Sequence, residues 1–202
     1  MIDRDANKAD QFGVSVIILT WNGLSLVKEC VSQVVTTVSA WDIPFEIILV
    51  DNGSDDNTVE YVRKTWPSLR IIAFDSNLGF SRANNRAART AVYTYILFLN
   101  NDLVLEDDFI LPLLDRVQEE GVFAAAPKML RWDRVTVDDG LRHGDFYSGL
   151  FDVKLETDGT LTAQPHYVTF FCGACFLCRK DIFFEMEGFD EDWIEYGNRR
   201  YA

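Results

Sequence analysis

Three short polar clusters carry the residue types best suited to chemistry in this chain. Thr20, Trp21 and Asn22 follow one apolar run, Asp51, Asn52 and Gly53 a second, and Asn100, Asn101 and Asp102 a third. The last cluster closes the stretch Y-I-L-F-L-N-N-D, where the apolar run stops abruptly. Asn100 and Asp102 are oxygen donors in a short turn, which suits a hard divalent cation such as Mg²⁺ or Mn²⁺. Short Asn/Asp clusters are also ordinary turn chemistry, so a polar loop leading into the next helix is the competing reading.

The elements around these clusters decide whether they can act together. Residues 95–99 are apolar at every position, as expected of a strand buried on both faces of a parallel sheet. Residues 14–19, 45–50 and 69–74 read as strands in the same way. Between them lie helical patterns: residues 25–39, with Val27, Val31, Val34 and Val38 on one stripe; a helix carrying Val59, Val62 and Trp66; and residues 81–90, with Ala83, Ala87 and Ala91 as small packing residues. Strand and helix in alternation predict βαβ units and an α/β, doubly wound sheet. Parallel strands put their carboxyl ends on one edge, where open α/β sheets bind ligands. All three polar clusters fall there.

Farther along, a helix is expected over residues 107–120, with Pro112 in its first turn, and a short strand over 122–126. Residues 130–165 read as an acidic, irregular excursion with a hairpin at Asp158-Gly159. Residues 167–179 read as an apolar strand interrupted by Gly173, and 180–186 as a short helix. Cys172, Cys175 and Cys178 have C-x-x-C-x-x-C spacing. Their apolar neighbours favour small buried hydrophobes over a metal cluster. Cys30, on a helix face, reads the same way.

The composition excludes several classes. Forty-eight per cent hydrophobic and 25% charged residues in a 202-residue chain are globular values that fit one domain. Residues 1–12 are expected to form a flexible tail and 13–202 the domain. A net charge of −13 argues against nucleic acid as a partner. No run approaches the roughly 18 apolar residues of a membrane span, and a cytoplasmic location is expected. There is no G-x-G-x-x-G after the first strand, no G-x-x-x-x-G-K-[ST] and no G-x-S-x-G elbow. His143 and His166 read as surface or packing residues.

Six blocks in order carry a resemblance: V-S-V-I-I-L-T-W-N from Val14, V-D-N-G-S-D-D from Val50, N-L-G-F-S-R-A-N-N from Asn77, L-F-L-N-N-D from Leu97, G-A-C-F from Gly173 and G-F-D from Gly188. Together they resemble the family 2 glycosyltransferases, most closely a rhamnosyltransferase-like bacterial and archaeal branch. The resemblance implies a GT-A fold and inverting transfer of a sugar from a nucleotide-diphosphate sugar to a glycan, polysaccharide or lipid-linked saccharide. It implies that Thr20, Trp21, Asn22, Asp51, Asn77, Arg82, Asn84, Asn85 and Asn101 hold the nucleotide sugar. Asn100 and Asp102 match the family's D-x-D metal position, with Asn100 replacing the first acid. Gly173, Ala174 and Cys175 would lie on the acceptor side. The resemblance also implies work at the inner membrane face, with any tether outside these residues. The family pattern continues after Tyr196-Gly197 with an acidic pair that includes the catalytic base. Here Asn198 and Arg199 follow, so the base and the acceptor-binding region beyond it are expected to be absent. The alternative expectation is a truncated nucleotide-sugar-binding module without turnover.

Overall fold

The computed structural model describes residues 11–156, 163–168 and 171–192. Six strands form the central sheet: β1 (Gln11–Thr20), β2 (Phe45–Asp51), β3 (Arg70–Ala73), β4 (Tyr93–Asn100), β5 (Ala124–Ala125) and, after two hairpins, β10 (Cys175–Arg179), in the order β3-β2-β1-β4-β10-β5. β1 to β4 run parallel, while β10 is antiparallel to both β4 and β5. The direction of winding reverses between β1 and β4. A crevice opens at such a point beyond the carboxyl ends of the strands.

Alternation along the buried strands feeds two cores, one on each face. Val16, Ile18, Leu97, Leu99, Cys175 and Leu177 point into the first. It is covered by α1 (Leu24–Ser39), which contributes Val27, Val31, Val34 and Val38, and by α4 (Ile110–Val117), with Ile110, Leu113, Leu114 and Val117. α2 (Thr58–Thr65) adds Val62 to the same face. Ile17, Ile48, Val50, Ile96, Phe98, Phe176 and Cys178 point into the second core. There α3 (Phe80–Ala88) packs through Ala83, Ala87 and Ala88, whose small side chains let the helix lie close to the sheet. α5 (Lys180–Glu185) adds Phe183. Phe98 is the hub of an aromatic cluster, with its ring centroid 5.0 Å from those of Phe176 and Phe189 and 5.2 Å from that of Phe183.

The excursion between β5 and β10 contains two antiparallel pairs, β6 (Met129–Leu130) with β7 (Val137–Asp139), and β8 (Arg142–Tyr147) with β9 (Leu150–Leu155). The hairpin expected at Asp158-Gly159 lies outside the described residues. The described hairpin turns at Ser148-Gly149, where φ is +50° and +81°, the left-handed pair that a tight two-residue turn requires. The strand expected over 167–179 shrinks to Cys175–Arg179 because Gly173 and Ala174 form a turn before it. α4 starts later and ends earlier than expected, with Pro112 in its first turn. No helix among the described residues is long and apolar enough to cross a membrane.

Candidate functional site

Parallel register brings the three polar clusters to one edge. Thr20 pairs with Asp51, and Leu19 pairs with Asn100. Thr20 is buried, and its Oγ1 accepts the Asn101 Nδ2–H at 2.9 Å. This bond ties the end of β1 to the turn after β4. Gly23 lies against it: a Cβ there would come within 2.6 Å of Asn101 Nδ2 and 2.8 Å of Thr20 Oγ1. The Asn100 N–H donates to the Ala174 carbonyl at 2.8 Å, which extends the β4–β10 pairing to the mouth of the crevice. From the other side the Cys30 Sγ contacts the Asn100 carbonyl oxygen at 3.9 Å. Burial pushes the Cys30 thiol up to about 12, and the charge of Asp102 adds to the shift. Cys30 is therefore a neutral S–H beneath the turn, while Asp102 is exposed on it.

Asp51 ends β2 only 2% exposed. Its Oδ2 accepts the Ser54 N–H at 3.0 Å, but its Oδ1 is buried with no hydrogen-bond partner among the described residues. An orphaned buried oxygen is rare and costly in a native protein. It lies at the carboxyl end of β2, the edge at which open α/β sheets bind ligands. Gly53 makes the turn below it with φ +81°, and a Cβ there would meet the Ser76 backbone at 2.6 Å. Asn22, at φ +48°, crosslinks the neighbouring loops: its N–H donates to Ser54 Oγ at 2.8 Å, and its Oδ1 accepts the Asp55 N–H at 2.9 Å. Trp21 is 56% exposed on the rim.

The residues expected on the Asn77–Asn85 block serve largely as internal braces. Asn77 Oδ1 accepts Asn52 Nδ2–H and Gly79 N–H, each at 2.8 Å. Asn52 Oδ1 takes the Leu78 N–H at 2.8 Å. Sequence reasoning left Asn52 out of the site; it holds the loop before α3, and its only signal was its place in V-D-N-G. Asn84 Nδ2 donates back to the Phe80 carbonyl at 3.1 Å. Asn85 bonds both backbone groups of Phe189 and also Glu191 Oε1. Arg82, half exposed, lies 3.6 Å from Glu191 Oε2. The side chains of Asn77, Asn84, Asn85 and Asn101 are thus committed to bonds within the protein, and those of Trp21, Asp51, Arg82 and Asp102 remain as ligand-facing candidates.

Of the residues expected on the acceptor side, Ala174 gives its carbonyl to the Asn100 N–H. Gly173 leaves room for the Phe80 ring 3.6 Å from where a Cβ would stand. The Cys175 side chain points into the core opposite Leu99, and burial raises its thiol to about 12. Cys172 departs from the expectation of an apolar residue: it is half-buried beside Asp139, and burial and the Asp139 carboxylate raise its thiol. Asp139 Oδ1 and Oδ2 accept Arg142 Nε–H at 2.8 Å and Nη2–H at 2.6 Å. The residues matching the family's base lie outside the described residues.

Among the described residues there is no group of three or more His, Cys, Asp or Glu that could hold a metal alone. Mg²⁺ and Mn²⁺ are commonly bound by one or two carboxylates completed by substrate phosphates and water. The exposed Asp102 carboxylate, with the neighbouring Asn100, fits that role; a cage built only of protein ligands does not.

Comparison with known proteins gives the family and the fold. The family model described as glycosyl transferase family 2 matches residues 15–186. A poly-beta-1,6-N-acetyl-D-glucosamine synthase of Staphylococcus epidermidis is 30% identical over 99 residues, which are 48% of this chain and 23% of the synthase. Among solved structures, the mannosyltransferase PcManGT of Pyrobaculum calidifontis, in complex with GDP-Man and Mn²⁺, superposes with TM-score 0.63 at 19% identity. That match covers 90% of this chain and 48% of the mannosyltransferase. Residues 1–349 of TarS from S. aureus superpose with TM-score 0.59 at 18% identity, over 90% of this chain and 51% of that one. The chain therefore spans about a quarter to a half of the length of these proteins. The structural likenesses establish the fold, a GT-A arrangement.

Proposed function

Since the chain belongs to glycosyl transferase family 2, we propose that it binds a nucleotide-diphosphate sugar and passes the sugar, with inversion, to a glycan or lipid-linked saccharide. The observation that carries this reading is the buried, unpartnered Asp51 Oδ1 at the ligand-binding edge of the sheet. A nucleobase N–H or ribose hydroxyl would satisfy it. The exposed Trp21 indole would give the nucleotide an apolar wall, with Thr20 and Asn22 on either side holding the loop through their bonds to Asn101, Ser54 and Asp55. Arg82, half exposed and 3.6 Å from Glu191 Oε2, would turn to the phosphates when the donor binds.

Asn100 and Asp102 are the residues that would hold a divalent cation together with the diphosphate. When bound, the cation offsets negative charge growing on the departing nucleoside diphosphate. The chain's own part is positional. The Thr20–Asn101 and Asn100–Ala174 bonds fix the turn, so that the Asp102 carboxylate meets its ligand without reorganising. The acceptor hydroxyl must give up its proton close to the anomeric carbon, and the Gly173-Ala174 turn flanks the approach to that point.

Calorimetry with UDP, GDP and dTDP, with and without Mn²⁺, tests the reading. Binding of one nucleotide, strengthened by Mn²⁺, is expected, and Asp102→Ala should remove the Mn²⁺ increment. No binding to any of the three rejects it. Tight binding without transfer or donor hydrolysis would favour the non-catalytic module.

A further inference from the structure

We infer that Gln33 is a positioning residue for Asp102, acting through the backbone of Leu105. This rests on the metal reading of the Asn100–Asp102 turn.

Asp102 is exposed, so packing of its own side chain does not fix it. Its geometry depends on how the turn is held on both sides. The leading side is fastened by the Asn100–Ala174 and Asn101–Thr20 bonds. The trailing side is fastened by Gln33. Its Nε2 donates to the Leu105 carbonyl at 3.1 Å, and its Oε1 accepts the Leu105 N–H at 3.2 Å. One side-chain amide thus closes a two-point clasp on a backbone 72 residues away. Leu105 itself is buried, 8% exposed, so its peptide groups would otherwise be stranded in a half-dry setting.

Gln33 and Cys30 are three residues apart on α1 and share a face. Cys30 touches the Asn100 carbonyl and Gln33 holds Leu105, so the same helical face grips the turn before and after Asp102. Cys30 belongs to the buried valine face of α1, and Gln33 lies half-buried at the edge of that face. The amide at position 33 therefore does something a core residue there would not. Outer-shell groups that orient a ligating carboxylate commonly change metal affinity about 10- to 100-fold when removed.

Gln33→Ala is compared with wild type and Asp102→Ala by calorimetry with UDP and GDP, with and without Mn²⁺, and by amide hydrogen exchange. The expected result is a loss of about tenfold in the Mn²⁺-dependent part of nucleotide affinity. Metal-free affinity should be unchanged, and exchange should be faster over residues 101–105. Gln33→Glu, which keeps the acceptor for the Leu105 N–H but loses the donor, should fall between, and it carries the test if the alanine variant does not fold. A Gln33→Ala protein with wild-type Mn²⁺ dependence, beside an Asp102→Ala protein that has lost it, overturns the inference and leaves the metal turn standing. If Asp102→Ala itself keeps full Mn²⁺ dependence, the metal turn fails and the role of Gln33 falls with it.

Discussion

Asn85 and Phe189 are bonded twice, backbone to side chain: the Asn85 Nδ2 donates to the Phe189 carbonyl at 2.8 Å, and its Oδ1 accepts the Phe189 N–H at 2.9 Å. The pair spans 104 residues and pins the turn after α5 onto α3. Phe80 and Phe189 rings meet edge to face beside it, 5.2 Å apart. Asn85→Ala should cost about 2–3 kcal/mol, since it strands both Phe189 backbone groups. Gly188→Ala should also destabilise, because φ there is +79° and the new methyl would fall 2.5 Å from Asn85 Oδ1. Urea unfolding measures both, and a double variant close to the worse single one would show that they break the same contact.

Replacing Asp51 by Ala separates binding from folding. The side chain buries one unsatisfied oxygen in the free protein, a cost that offsets the Ser54 N–H bond to the other, so its removal should change stability little. It should weaken nucleotide binding at least about tenfold, in line with the worth of a hydrogen bond to a charged group. Calorimetry and urea unfolding of the same preparation read the two quantities. A large loss of stability with intact binding would assign Asp51 to the scaffold.

Thiol chemistry should distinguish the four cysteines. Cys30, Cys175 and Cys178 are at most 3% exposed, and burial raises all three thiols. They should stay unmodified by a disulfide reagent at pH 8 until the protein unfolds. Cys172 is half-buried, although burial and the nearby Asp139 raise its thiol too. It should react slowly and first, and Cys172→Ser should abolish native-state labelling, as read by mass spectrometry.

The Asp139–Arg142 pair gives stability a pH dependence. Burial works to raise the Asp139 carboxyl, but hydrogen bonds from Arg142 and the Gly140 N–H outweigh it and hold the group below its ordinary value of 3.8. A carboxyl with a depressed folded-state pKa contributes stability above its unfolded value and loses it as pH falls through the folded one. The urea midpoint of the wild type should therefore drop below about pH 4. Asp139→Asn should be less stable at neutral pH, and its gap from wild type should narrow as acid is added.

Much of this was legible in the sequence, and what was not has identifiable causes. β1, β2 and β4 are buried on both faces, so their continuous apolar runs marked them and the polar residues at their ends. Valine spacing found α1 for the same reason. The run ending at Arg179 reads longer than its strand because aromatic residues suit a strand and a packed turn equally. Gly173 was read as an interruption, whereas it is the turn from which the strand begins. In the site, residue types pointed to Asp51 and Asp102, but not to which polar groups were already spoken for. Nothing in the sequence shows that Asn77 and Asn85 already hold partners on other elements. Gln33 carried no signal at all: a glutamine on a helix is ordinary until Leu105 is seen against it.

Strand β10 returns beside β5, with Leu177 opposite Ala125 and Cys178 opposite Ala124. The intervening residues 126–174 thus leave and rejoin the sheet at neighbouring strands. Lengthening such a closed-off segment costs only a slowly growing entropy. Insertions there would therefore weigh little on the fold and leave Thr20, Asp51 and Asp102, which lie on or beside β1, β2 and β4, where they are.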